Sequence, residues 1–277
     1  EGVKLKVDEA APLKKRYPIL GWPFVRGVAG FYESLKLGVG ALMYSADFYP
    51  EEADAKPSRF DAWVEKKLGA EGAKKMMTGI ALVFGIATPV ALFILLPTLL
   101  AGLFDGFIGS GVGRNLLEGG LRIAIFVAFI ALTAQMKDMK RVFGYHGAEH
   151  KSIHCYEAGK ELTVENVRQF PRQHPRCGTS FLFVVMIVSI LCFSAVTWSN
   201  PLMRMALRLL LLPVIVAVSY ELNRLVGRYD NFLTVALRAP GLWLQNLTTR
   251  EPDDDMLRTG IAALAAVIPE ETGSDKW

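Results

Sequence analysis

The sequence is poor in residues that bind transition metals, with only four histidines and three cysteines among 277 residues. Three cysteines exclude a fold held together by a framework of disulfides. The sequence shows no internal repeat and no low-complexity tract, which excludes a repeat architecture. It also lacks a cleavable signal-peptide pattern at its start, so we expect the first membrane span to direct insertion.

The composition is instead rich in apolar residues. Hydrophobic residues make up 52% of the chain and charged residues 21%, and the mean hydropathy is +0.29. This mixture is typical of a membrane protein with substantial water-facing parts. The sequence therefore predicts an all-α, polytopic membrane protein.

Four apolar stretches predict membrane-spanning helices: residues 78–104, 121–136, 180–199 and 206–220. The first and third carry no charged side chain, and both reach the ~20 residues that cross ~30 Å of hydrocarbon. The second and fourth are shorter and contain Arg122 and Arg208. We expect Arg122 to extend to the membrane interface. Two buried helices of a soluble domain are the alternative for the shorter pair.

The distribution of basic residues predicts the orientation of these spans. Thirteen Lys and Arg lie in residues 1–76, eight in 137–179 and six after Tyr220, whereas 105–120 contains Arg114 alone. Four spans put the three basic regions on one side, with 27 of the 31 basic residues. We expect that side, with both termini, to be the cytoplasmic face of a bacterial plasma membrane.

The chain accordingly divides into five segments. Residues 21–47 are apolar with many small residues, and we expect them to lie on the membrane surface. A fifth span is the alternative, and it would reverse the orientation of the N-terminus. The segments are a cytoplasmic or interfacial region 1–76, two spans in 77–136, a cytoplasmic His/Cys region 137–179, two spans in 180–225 and cytoplasmic or interfacial helices in 226–277.

All four histidines lie in the His/Cys region. Residues 145–157 read YHGAEHKSIHCYE, and His174 follows in HPRCGTSF. On one helix, His146 and His154 are ~12 Å apart along the axis, too far to bind one ion at ~2.1 Å per ligand. His146 and His150 lie one turn apart and form H-x-x-E-H, the inverted zinc-protease signature. We predict that these two bind zinc and that Glu149 is a general base for water at the metal.

The remaining ligands are expected in HPRC, where His174 and Cys177 are three residues apart. Four protein ligands indicate a closed, structural zinc, whereas three ligands and a water indicate a catalytic one. Glu157 and Glu221 are alternative carboxylate ligands. A hydrogen-bonded loop network without metal, and a nucleophilic pair of Cys177 with His174, are other interpretations.

Local signals also predict the helices around this cluster. We expect a helix over 148–158 that ends at Gly159, a typical C-cap residue. Gly144 and Gly147 are expected to bend or end the helix before it. Thr163 is expected to cap the N-terminus of a short following helix.

Several motifs together resemble a known family. The stretches FGYHGAEHKSIHCYE, LTVENV, HPRCGTSFLFVVM and APGLWLQNLTTREPDDDM, in this order, resemble the bacterial YqhQ-like family. RGVAGFYESLKLGVGALMYSAD resembles it too, so the likeness covers residues from about 20 to 260.

These are multi-pass membrane proteins of unknown function, regarded as metal-dependent enzymes. The resemblance therefore implies a metal but no particular reaction. Carried over by position, it implicates His146, Glu149, His150, Glu157, His174 and Cys177. The start EGVKLKVDEA departs from the family's usual EGVMMR, which leaves the role of that segment open.

Two functions from different classes follow. The first is a zinc-dependent hydrolase acting on a membrane-associated peptide or a lipid-linked substrate, with Glu149 as its base. The second is a scaffold with a structural zinc that docks membrane-protein insertion, ribosome-linked or quality-control machinery. A basic cytoplasmic face suits anionic lipid in either case, and no specific nucleic-acid recognition is predicted.

Overall fold

The computed structural model describes residues 3–8, 12–46, 48, 59–104, 106, 112–195, 201–229 and 231–269. This part of the chain is helical and contains no strand, which confirms the predicted all-α class. A 3₁₀ turn covers Pro18–Gly21 and a π turn Ala91–Leu95. The α-helices are α1 (Leu13–Arg16), α2 (Val25–Ala46), α3 (Arg59–Val90), α4 (Leu96–Gly102), α5 (Val112–Thr133), α6 (Lys137–Glu157), α7 (Val164–Arg168), α8 (Gly178–Ser194), α9 (Pro201–Arg228), α10 (Phe232–Thr248) and α11 (Asp254–Ala265).

Three helical stretches in the described ranges are long and apolar enough to cross a membrane: Glu71–Gly102, Gly113–Thr133 and Met205–Arg228. They overlap three of the four predicted spans and indicate a membrane protein. The other predicted span, 180–199, overlaps α8, which has 17 residues and so a length of roughly 26 Å. Residues 196–199 of that prediction lie outside the described residues. The orientation of the spans and the interfacial placement of 21–47 stay predictions.

The chain divides into two compact units, a small unit of residues 30–125 and a large unit of residues 1–29 and 126–277. This division concerns packing, whereas the five segments predicted from the sequence concern membrane topology. Those five segments therefore stay a prediction.

A buried arginine donates a hydrogen bond to a helix carbonyl of the small unit that lacks its usual backbone donor. Pro97 has no N–H, so the carbonyl of Phe93 lacks the helical partner it normally finds four residues later. Arg122 Nε donates to that carbonyl at 2.7 Å, and its guanidinium pairs with Glu118 at 3.0 Å. Both side chains are buried. The expectation that Arg122 extends to the membrane interface is therefore wrong.

Close backbone contacts join α6 to the chain around α11 in the large unit. A Cβ at Gly147 would lie 2.1 Å from the carbonyl oxygen of Arg250, so only glycine permits this crossing. The Arg250 N–H donates to the carbonyl of Phe143 at 2.8 Å. The core beneath these helices consists of Ala148, Cys155, Val167 and Leu257. These contacts hold one side of α6 firmly.

Helices α9 and α10 pack against α8. A Cβ at Gly241 of α10 would lie 2.8 Å from the side chain of Ser180, so the two helices approach closely there. The apolar core between α8 and α9 consists of Val188, Phe193 and Ile215, with Cys192 packed against it. The start of α8, immediately after the HPRC segment, is thereby anchored.

Candidate metal centre

Helix α6 carries the predicted H-x-x-E-H motif in one unbroken run from Lys137 to Glu157. The predicted bends at Gly144 and Gly147 are wrong, because both glycines lie inside the helix and make close packing contacts. The helix ends before Gly159, whose φ is +66°, as predicted. Thr163 caps α7 by accepting a hydrogen bond from the Asn166 N–H at 3.2 Å, also as predicted.

Three ligand-type side chains converge where α6 meets the HPRC segment. The ligand atoms of His146, His150 and Cys177 all lie within 4.8 Å of one another. We call these residues the His/Cys group. His146 Nε2 lies 3.2 Å from Cys177 Sγ, and the rings of His146 and His150 have centroids 4.3 Å apart. His150 and Cys177 are buried.

Backbone carbonyls orient both imidazoles of this group. His146 Nδ1 donates to the carbonyl of Thr248 at 2.8 Å, and His150 Nδ1 donates to the carbonyl of Arg172 at 2.6 Å. A neutral imidazole that donates from Nδ1 keeps its lone pair on Nε2. Metal-ligating histidines are commonly held in this way. The two rings therefore fit the role of zinc ligands.

The third member of the group favours its ionised form. Burial opposes ionisation of the Cys177 thiol, but hydrogen bonds from His146, His150 and Thr179 outweigh it and lower its pKa to about 5. Burial likewise lowers the pKa of His146, while the interaction with Cys177 more than reverses that effect and raises it. His146 and Cys177 thus share a proton readily. Metal binding displaces such a proton, and two imidazoles with a thiolate suit zinc.

A second group lies next to the first. The ligand atoms of His154, Glu157 and His174 also lie within 4.8 Å of one another, and we call these residues the His/Glu group. His154 Nε2 donates to the carbonyl of Gln173 at 2.8 Å. The ring centroids of His154 and His174 are 4.6 Å apart. The sequence analysis found His154 too far from His146 to share an ion with it. The structure nevertheless gives His154 neighbours of the ligand type.

Internal hydrogen bonds occupy most of the His/Glu group. The Arg176 N–H donates to His174 Nδ1 at 3.2 Å, which places the ring proton on Nε2, 3.4 Å from the Glu157 carboxylate. Glu157 also pairs with the Arg176 guanidinium. Burial, aided by the charge of His154, lowers the pKa of His174 to about 4. His174 in this arrangement has no lone pair turned toward a metal.

The four predicted ligands are thus divided between the two groups. His146, His150 and Cys177 come together, whereas His174 joins the His/Glu group. The alternative ligand Glu221 is engaged elsewhere: its carboxylate accepts two bonds from Arg26, at 2.7 and 2.5 Å, and one from the Phe24 N–H at 3.1 Å. A four-ligand shell that includes His174 stays a prediction.

One cavity connects the two groups. Its volume is about 300 Å³. It borders the His/Cys group, Glu157 and His174 of the His/Glu group, and the predicted base Glu149. We call it the metal cavity. Glu149 is exposed, and its charge raises the pKa of His146. The full lining comprises His146, Glu149, His150, Ile153, Glu157, His174, Arg176, Cys177 and Gly178.

Gln245 is a supporting residue that the sequence analysis missed. Its fully buried amide accepts from the His174 N–H at 2.7 Å and donates to the His174 carbonyl at 2.8 Å. The amide also donates to Ser180 Oγ at 3.0 Å. The sequence signal is a lone glutamine within the apolar GLWLQNL of a helix predicted as interfacial. Such a residue, if buried, needs partners.

Comparison with known proteins adds a family but no activity. Residues 22–270 match the family described as "Protein of unknown function (DUF1385)". The chain is 30% identical to the "Uncharacterized protein YqhQ" of Bacillus subtilis (strain 168) over 257 residues, which cover 92% of this chain and 79% of that protein. No solved structure matches the chain.

Proposed function

Since the chain belongs to the DUF1385 family of proteins of unknown function, we propose a function from its site: a membrane-associated, zinc-dependent hydrolase. His146, His150 and Cys177 are the proposed zinc ligands. The observation that carries the proposal is the orientation of both imidazoles by backbone carbonyls, with Nε2 atoms and a thiolate converging beside a cavity. Tetrahedral zinc with three protein ligands keeps one position for water or substrate.

Each residue has a distinct part in this proposal. Bound zinc supplies a Lewis acid for the hydrolysis. Glu149, an exposed carboxylate in the lining of the metal cavity, accepts a proton as general base. The carbonyls of Thr248 and Arg172 keep the two rings in the ligating tautomer. The substrate is a membrane-associated molecule with a hydrolysable bond.

The test is the variant Glu149→Gln in the full chain reconstituted into lipid nanodiscs. Zinc content is measured by mass spectrometry of the metal, and turnover with a panel of fluorogenic ester, peptide and phosphoester substrates. Loss of a general base lowers kcat by about 10²–10⁴-fold with zinc retained. Glu161→Gln, an exposed glutamate outside the metal cavity, is the matched control and should keep full activity.

Two results oppose this assignment. Loss of zinc from Glu149→Gln would make Glu149 a ligand or a support of the ligands. Unchanged turnover on a substrate that the native protein cleaves would remove Glu149 from the chemistry.

A structural zinc is the second candidate function, favoured by the burial of His150 and Cys177. In that case the protein is a scaffold for membrane-protein insertion, ribosome-linked or quality-control machinery. Zinc removal then lowers the melting temperature strongly, and no substrate in the panel is turned over. Turnover that disappears on chelation and returns with added zinc decides for the hydrolase.

A further inference from the structure

A second cavity in the large unit has a different chemistry from the metal cavity. Its volume is about 210 Å³, and it is lined by Arg176, Tyr220, Asn223, Arg224, Gly227 and Arg228. We call it the arginine cavity. Three of these six residues are arginines, and no acidic side chain is among the described residues that line it. Such a lining favours an anion.

Two separate elements build this cavity. Tyr220, Arg224 and Arg228 are spaced four residues apart at the end of α9, so they lie on successive turns of one face. Arg176 comes from the HPRC segment before α8. Arg224, Gly227 and Arg228 are exposed, and a Cβ at Gly227 would meet no atom of another segment within 4 Å, so the cavity is open to solvent at this end.

The charge of the arginine cavity is only partly balanced. Arg224 and Arg228 make no ion pair with any carboxylate in the described part of the chain. The charge of Glu221 acts on Arg224, but both carboxylate oxygens of Glu221 bind Arg26. Arg176 is paired with Glu157. Two guanidinium groups are therefore available to an incoming anion.

Arg176 connects the arginine cavity to the metal cavity, because its side chain lines both. Basic residues at the end of a spanning helix ordinarily offset the helix dipole or contact lipid phosphates. That explanation accounts for Arg224 and Arg228. Arg176 comes from another element, where its pair with Glu157 holds it beside both cavities. An anion in the arginine cavity would therefore contact a residue that also lines the metal cavity.

We propose that the arginine cavity binds a phosphate group of the substrate, which makes the substrate a phosphorylated molecule. Guanidinium groups bind phosphate through paired, charge-assisted hydrogen bonds. Assignment of the anion as substrate rests on the proposed hydrolase function, whereas binding of the anion itself requires no metal. A lipid headgroup and a soluble phosphate ester share this chemistry.

The experiment measures phosphate binding to the full chain in phosphatidylcholine nanodiscs by equilibrium dialysis with radiolabelled inorganic phosphate. The native protein should bind about one phosphate per chain, with affinity that falls as salt rises. Arg224→Gln combined with Arg228→Gln should weaken binding by at least about 10-fold. Arg224→Lys keeps the charge but loses the planar fork, and should weaken binding by about 3-fold.

The matched control combines Arg16→Gln with Arg258→Gln, which removes the same charge from exposed positions outside the cavity. Equal losses in the cavity and control variants would overturn the proposal, since only a general surface charge would then be responsible. Absence of phosphate binding to the native protein would also overturn it. Phosphatidate added to the nanodiscs distinguishes the sources: competition with labelled phosphate indicates a lipid headgroup, and no competition indicates a soluble ester.

Zinc content, measured on the same samples, separates this inference from the proposed function. Phosphate binding without zinc contradicts the zinc site and leaves the anion site intact. Zinc without phosphate binding overturns the anion site alone. The cavity variants should keep their zinc, because neither Arg224 nor Arg228 belongs to the His/Cys group.

Discussion

The His/Cys group and the His/Glu group are built from similar residues: each has two members on α6 and a third from the HPRC segment. They differ in the partners of their ring nitrogens. In the His/Cys group each ring donates from Nδ1 to a carbonyl, so the Nε2 lone pair of each neutral ring is left for a metal. In the His/Glu group the Arg176 N–H occupies the lone pair of His174. The presence of ligand types is therefore weaker evidence for a metal than the direction of their lone pairs.

The largest effect that this comparison predicts is on zinc content. Cys177→Ser keeps an N-cap oxygen for α8 but removes the thiolate, and bound zinc should fall from about one per chain to below about 0.1. His174→Ala, the matched change in the His/Glu group, should keep its zinc. Metal analysis of the purified variants measures both. Equal loss in the two variants would instead make His174 the fourth ligand of a closed site.

The next effect concerns the support of His146. Gly147→Ala forces the Arg250 carbonyl, 2.1 Å from the new Cβ, to move, and the Thr248 carbonyl two residues earlier should move with it. We expect a loss of stability of about 3 kcal/mol and zinc affinity lower by about 10-fold. Thermal unfolding and competition with a zinc chelator measure the two.

Gly144→Ala is the control for that change. Its Cβ meets only the flexible end of Met256, and the better helix propensity of alanine offsets that contact by about 1 kcal/mol. Its melting temperature should stay close to that of the native protein. A control as unstable as Gly147→Ala would show that α6 tolerates no added volume at all.

A smaller effect should be confined to the His/Glu group. Gln245→Leu leaves the backbone N–H of His174 without its partner and removes one of the two donors to the His174 carbonyl, at a cost of about 1–3 kcal/mol. The melting temperature should fall while zinc content is unchanged. Asn246→Ala, which removes one exposed hydrogen bond to Gln173, should have little effect. Zinc loss in Gln245→Leu would mean that the two groups act as one site.

The smallest effect is a difference in thiol reactivity in metal-free protein. The pKa of Cys177 is lowered to about 5, so its thiolate is present above that pH and is lost as pH falls through it. Alkylation by iodoacetamide should stay constant from pH 8 to about 6 and then decline. Burial raises the pKa of Cys155, so this thiol should react only under more alkaline conditions. Added zinc should protect Cys177, and mass spectrometry of the labelled peptides measures each rate.

Most of the fold and part of the site were predictable from sequence. Apolar runs located three helices that can cross a membrane, since run length and hydrocarbon thickness are directly comparable. The pairing of His146 with His150, and the separation of His146 from His154, followed from helical geometry alone. These predictions depend only on spacing within one element.

Other features depended on contacts between distant elements. Gly144 and Gly147 were predicted to be helix breaks, but α6 continues through both, and they face Met256 and Arg250. Arg122 was predicted to lie at the membrane interface, but it donates to the carbonyl of Phe93, which Pro97 leaves without its usual helical donor. These three partners cannot be identified from local sequence, because each lies in a segment distant along the chain.

The sequence by itself determined that this protein is helical, that it has membrane-length apolar helices, and that His146, Glu149 and His150 share one stretch of helix. The tertiary structure decided that Cys177 joins this pair while His174 does not. It also brought Arg176 between the two cavities. The physical reason is that a helix sets the spacing of its own side chains, whereas carbonyls of Arg172, Thr248 and Gln173, from other segments, orient the histidine rings.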